Sequence, residues 1–357
     1  MSLNPIRLKV HANYTPFSPL YPSITTNNFS TSAIHRNKSN TSPATTTTTT
    51  TVSTPTKSEI NAPLSTFPAE IETPPQLPQN APATDKIKRL VATGRAYVTF
   101  YKTGLKNVFR NYRASLPLRK SLGLPTYLPV SPPRANGAAG AGAGTGDLGL
   151  GRGQYQLVRR SARDVRRMIP FTLILLICGE FTPLIIPIFG SAITPATCRV
   201  PGQINKERET ASKRKVLALT GYQQQQQQQQ KGVTGSQTHQ EIEVLVKFAE
   251  KEFVESANMQ EILRASAVFG LVKNHTRPLA GVPGFAGMYR RGLKRHVEYL
   301  GIDDGMIRKG GVRGLSSKEV RFALEERGLG DVGSFAPSGK VEGVERETLE
   351  KWLDLRK

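Results

Sequence analysis

The spacing of apolar positions changes twice along this chain, dividing it into three kinds of segment. In residues 86–113, Tyr97, Tyr101, Leu105, Val108, Phe109 and Tyr112 recur every three or four residues. That predicts a helix with one apolar-aromatic face set among lysines and arginines. From Met168 to Phe189 the periodicity gives way to an almost unbroken apolar run of 22 residues. Such a run is long enough to cross a hydrocarbon core of about 30 Å. Beyond Gln240 the helical period returns: Ile242, Leu245, Val246, Ala249 and Phe253 form one stripe. Asn258 with Glu261 opens a second helix, and Leu293, Val297 and Leu300 line a third that Gly301 is expected to stop. Ser316 with Glu319 reads as a capping box, with Leu315 and Val320 at the staple positions, for a helix ending at Arg327–Gly328. Leu349, Trp352 and Leu353 line the last. No period-two pattern competes, so the fold class is all-α: a disordered N-terminus, one Pro-broken transmembrane helix, then a small helical domain.

The apolar run is not a plain anchor. Pro170 suits the first turn of the span, but Pro183 and Pro187 each remove a backbone hydrogen bond inside it. Irregular backbone at membrane depth survives only where protein or water covers it. Glu180 lies in the middle, and a carboxylate at that depth is costly unless protonated, paired or hydrated. Glu180, Pro183 and Pro187 are therefore the candidate ion or proton path. The bland alternative pairs Glu180 with a basic residue of a neighbouring helix.

Composition divides the remainder. Residues 34–85 are rich in Ser, Thr and Pro and are expected to stay disordered. A basic amphipathic helix is expected within 86–128, a Gly/Ala linker at 129–153, and a short basic helix plus the membrane segment (span about 168–189) at 154–198. A linker with the Gln tract Gln223–Gln230 occupies 199–239, and the helical domain 240–357.

The net charge of +22 is unevenly placed. Residues 86–167 hold 17 Lys and Arg against two acids, whereas residues 240–357 are nearly neutral. Excess cation flanking an apolar run suits anionic headgroups or RNA phosphate, or serves only to anchor the span. The basic helix at 86–113 can lie on a membrane surface or pack on another helix. No Asp or Glu precedes Glu59, hydroxyl residues abound, and no continuous apolar core is present. That is the profile of a mitochondrial transit peptide, expected over residues 1–33, and it points the apolar run to the inner membrane.

Enzymatic chemistry finds no support. Five histidines are scattered singly, no nucleophile stands at a fixed spacing from a base, and no phosphate-binding loop occurs. Cys178 and Cys198 match no metal or disulfide framework. Asp303 and Asp304 lack further oxygen ligands at fixed spacing and read as helix caps. No enzyme activity, cofactor, metal or DNA partner is expected.

RRSARDVRRMIPF, followed by GEF and then TPAT, resembles the membrane segment of the LETM proteins, the leucine-zipper, EF-hand-containing transmembrane family of the mitochondrial inner membrane. The matching residues are Asp164, Arg167, Pro170, Phe171, Glu180, Phe181, Pro195 and Thr197, with Arg166 inside the same motif. LKRHVEYLGIDDGMIRKGGVRGLSSKEVRFALEERGL, then LEKWLDL, is similar to the family's matrix-side ribosome-binding domain. The resemblance implies a single-span inner-membrane protein whose C-terminal domain binds the mitochondrial ribosome and supports membrane-protein biogenesis and cation balance. The family is also linked to potassium/proton or calcium/proton exchange, which gives the alternative reading of an exchanger component; one span would need a homo-oligomer or partner subunits for that. The candidate ribosome contacts are Arg290, Arg291, Lys294 and Arg295, with cardiolipin-type lipid as a further partner. No EF-hand pattern accompanies them.

Overall fold

The computed structural model describes residues 57–78, 82–127, 129–132, 150–178, 194–227, 237–274, 285–337 and 339–356, all within the compact unit Ser53–Lys357. The expected transit peptide, residues 179–193 of the apolar run and the end of the Gln tract lie outside them. No strand occurs among the described residues, as the periodicity implies. The helices are α1 (Lys57–Ile60), α2 (Ala83–Ser121), α3 (Arg152–Cys178), α4 (Pro201–Gln227), α5 (Gln237–Phe248), α6 (Lys251–Ser256), α7 (Met259–Val268), α8 (Phe285–Gly310), α9 (Ser317–Glu326) and α10 (Val341–Leu355). No described helix is long and apolar enough to cross a membrane.

Two apolar clusters hold these helices. The larger gathers Leu245, Phe248, Ile262, Leu293, Leu300, Val320, Leu324 and Trp352 from α5 and α7–α10. It also takes Ile60 from α1, Tyr155 from α3 and Ala218, Leu219 and Tyr222 from α4, so it draws in residues far upstream of Gln240. The smaller cluster joins Phe100 and Tyr101 of α2, Phe171 of α3, and Cys198 and Val200 beyond the apolar run. Gly104 of α2 permits that closure: a Cβ there would sit 2.7 Å from Cys198 Sγ.

Several expectations change. The expected linker at 199–239 contains α4, started by Pro201 at a position where a missing N–H costs little, and packed on α7. The stripe from Ile242 to Phe253 is two helices, broken at Ala249–Glu250. Gly301 does not stop α8, because Val297, Leu300, Asp304 and Ile307 continue one face; the stop falls at Gly311, whose φ of 75° takes the left-handed end position. Pro170 lies inside a 27-residue helix, beyond its first turn, so Arg166 loses the i+4 N–H it would otherwise bind.

The Ser/Thr/Pro-rich stretch is not all free chain. Ile60 is buried, and the Asn61 side chain donates to Gly314 O at 2.8 Å and accepts from Ser316 N at 2.7 Å. Asn61 thereby occupies the N–H that Glu319 would take in a complete capping box, while Ser316 still accepts from Glu319 N. Gly153, at the end of the expected linker, allows this strap to lie flat: a Cβ there would meet Asn61 O at 2.3 Å. Asn258 and Glu261, by contrast, form the reciprocal box read from the sequence.

Candidate functional site

Four acids stand on the inward faces of α8 and α9: Asp303, Asp304, Glu319 and Glu326. The first three are almost wholly buried. Burial of an unpaired carboxylate costs several kcal/mol, so each must be matched by a cation in good geometry. Asp303 accepts from Arg152 Nε at 2.8 Å, Gln156 Nε2 at 2.7 Å and Arg327 Nη2 at 2.9 Å. Asp304 takes Arg327, the Trp352 indole at 3.3 Å and Arg356. Glu319 is clamped by Arg152 at 2.8 Å and by both terminal nitrogens of Arg160 at 2.7 and 2.9 Å. The Arg160 guanidinium also stacks between Phe322 (3.9 Å) and Phe67 (4.7 Å).

Arg152, Gln156, Arg159 and Arg160 all belong to α3, the helix that continues into the apolar run. This network therefore fastens that helix to α8–α10. Burial alone would raise the Asp303 carboxyl, but Arg152 and Arg327 outweigh it and hold it well below the usual carboxylate range. The same contest at Glu326, won by Arg159 and Arg163, brings it down to about 2. Arg159 lies 3.3 Å over the Tyr299 ring, and the Tyr299 hydroxyl donates to Glu326.

His296 sits beside this network, its Nε2 at 3.0 Å from the Glu326 carbonyl. A carbonyl only accepts, so the neutral ring carries its proton on Nε2. Burial, followed by the nearby Arg159, pushes the imidazole from 6.5 down to about 4. The unfolded chain then binds the extra proton first, so this contribution is complete above pH 6.5 and lost as pH falls towards 4. The expected loss is about 3 kcal/mol between those values. Urea unfolding across that range should show it, and His296→Gln, which keeps a donor without a titrating ring, should remove most of the slope. An equal slope in both chains would place the titration elsewhere.

Between α3, α4 and the turn after α7 lies a cleft of about 530 Å³. Most of its cations are matched: Arg208 with Glu325, Lys215 with Glu241 and Asp331, and Arg199 with Glu207. Arg167 has no ion-pair partner among the described residues. Burial and then Arg199 and Arg163 lower its guanidinium to about 10, which leaves it charged at neutral pH.

The sequence-predicted residues are placed as follows. Asp164 is buried and accepts from Ala196 N at 2.8 Å, so the two ends of the apolar run meet. Burial raises its carboxyl, partly offset by that bond and by Arg163, Arg167 and Arg199. Arg166 reaches Ala162 O and Ser131, and Phe171 faces α2, 2% exposed. Glu180, Phe181, Pro183 and Pro187 lie outside the described residues. The cluster on α8 divides. Arg290 turns inward, donating to Val254, Glu255 and Ala257 carbonyls at the end of α6. Lys294 pairs loosely with Glu255 at 3.4 Å, while Arg291 and Arg295 are exposed without an ion-pair partner among the described residues. Asp303 and Asp304 are no caps; they lie inside α8. Among the described residues no group of His, Cys, Asp or Glu could hold a metal.

Sequence reasoning missed the network. Its signal was Asp304 between Leu300 and Ile307, and Arg327 following Val320 and Leu324, charges at positions where the helical stripe demands apolar residues. What could not be read was that Asp303, Glu319 and Glu326 take the arginines before the apolar run as partners.

The family described as LETM1-like, RBD, matches residues 150–357, which begins just before α3 and so includes every helix of the network. The chain belongs to this LETM family and carries its ribosome-binding domain. Comparison with curated proteins and with solved structures found no match.

Proposed function

We propose that this chain is a mitochondrial inner-membrane protein whose C-terminal helical domain binds the mitochondrial ribosome. The observation that carries this reading is the ribosome-binding-domain match across residues 150–357. Arg291 and Arg295, four residues apart on one face of α8, supply exposed guanidinium groups suited to bidentate contact with rRNA phosphate. Held at a membrane, such a domain would keep the nascent chain close to the bilayer. That would support membrane-protein biogenesis and, through the proteins inserted, cation balance. The presequence-like composition of residues 1–33 supports the inner-membrane location.

The reading is tested by recovering the chain from carbonate-washed mitochondrial membranes and identifying what comes with it. Ribosomal proteins are expected, and their absence at low salt would count against it. The exchanger reading rests on Glu180, Pro183 and Pro187, which lie outside the described residues.

A further inference from the structure

Helix α2 is packed along only part of its length. Its buried residues begin at Phe100 and run to Arg119, and none of residues 83–99 is buried. The C-terminal half is fixed in place: Asn111 donates to Ser65 O at 2.8 Å and accepts from the Ser65 hydroxyl at 2.6 Å, and the Tyr112 hydroxyl donates to Thr126 O at 2.7 Å. The N-terminal half continues past these contacts for about 25 Å of helix. Helices draw most of their stability from packing an apolar face, and a stretch of this length is marginal in water on its own.

The open half has a face of its own. Ile87, Leu90, Val91 and Val98 share one side of the helix and are 62%, 72%, 49% and 54% exposed. Lys86 borders this stripe on one edge, and Lys88, Arg95 and Lys102 border it on the other, all four exposed. Asp85 is the only acid in α2 and stands 3.5 Å from Lys88. Lys86, Arg95 and Lys102 have no ion-pair partner among the described residues. A second copy laid along the stripe would set like cations against one another on both edges. RNA would neutralise the cations and leave the stripe in water. Acyl chains beneath anionic headgroups match both the stripe and its edges.

We propose that residues 83–99 of α2 are a lipid-docking element that lies along the surface of an anionic phospholipid bilayer. Ile87, Leu90, Val91 and Val98 enter the facing leaflet by about 5–10 Å. Lys86, Lys88, Arg95 and Lys102 meet headgroup phosphates on either side of them. The inference rests on the membrane location proposed above and is independent of ribosome binding.

The test reconstitutes the full chain into vesicles of brominated phosphatidylcholine, with or without phosphatidylglycerol, and reads tryptophan fluorescence. Leu90→Trp puts the probe on the stripe, and Ala92→Trp puts it at an exposed position away from the stripe. The native Trp352 is wholly buried and gives the background in the parent chain. Bromine quenching beyond that background is expected for Leu90→Trp in the anionic vesicles and not for Ala92→Trp. Adding Arg95→Gln to Leu90→Trp should lower the docked-to-free ratio about fivefold, the effect of roughly one headgroup charge. Quenching of both probes, or of neither, in vesicles that retain the chain would overturn the docking face. Blue-shifted but unquenched emission from Leu90→Trp would show protein covering the stripe, a second copy or another segment of this chain, and would overturn the lipid assignment. A chain that does not float with either vesicle would overturn the membrane location as well.

Discussion

Asp303→Asn is expected to cost about 3–5 kcal/mol of folding stability, the effect of breaking a buried ion pair while its cations stay buried. Arg152 and Arg327 would each lose a carboxylate within 3 Å, in a place where neither can reach water. Because Asp303 is held below the usual carboxylate range, its contribution is full above about pH 4 and lost only in stronger acid. The loss should therefore be undiminished at neutral pH in urea unfolding. Arg291→Gln, on the exposed face of α8, is the control and should stay within about 0.5 kcal/mol of the parent. If the two variants unfold alike, Asp303 does not hold α3 to the domain.

Phe171→Ala is expected to cost about 3–5 kcal/mol in the smaller cluster, as for other buried aromatic truncations. The position lies in the apolar run, where a lipid-facing ring would have little to do with α2. Here the ring touches Phe100, Tyr101 and Cys198, so its removal should loosen α2 from α3. Hydrogen exchange reads this directly: amides of α2 around Phe100 to Val108 should lose protection in Phe171→Ala. Leu176→Ala, at a position 80% exposed, should leave them unchanged. Loss of protection in both, or in neither, would contradict the packing.

The C-terminal helices were legible because their apolar stripes, their capping pair Asn258–Glu261 and the Gly328 stop are all local signals. The assembly around them was not. The arginines of α3 read as solvated or lipid-facing charge, since nothing local distinguishes a cation that faces water from one that faces Asp303. Asn61 and Ile60 sit in a stretch whose composition argues against structure, yet they dock because Gly153 and Gly310 leave room for them. Helix α4 was hidden by its polar sequence, with Ala218, Leu219 and Tyr222 as its few buried anchors. At the candidate site, exposure separated Arg291 and Arg295 from Arg290, which the spacing alone grouped together.

The buried network and the meeting of the run's two ends together make α3 a rigid part of the domain. A ribosome bound at α8 would then be held at a fixed orientation to α3. The most direct test of ribosome binding is sedimentation of the purified full chain with mitochondrial ribosomes across a salt series. The chain should pellet with ribosomes at low salt and be released as salt rises. The double variant Arg291→Glu, Arg295→Glu should bind at least about tenfold more weakly, with a shallower salt dependence. A chain that stays in the supernatant with intact ribosomes at low salt would contradict the account.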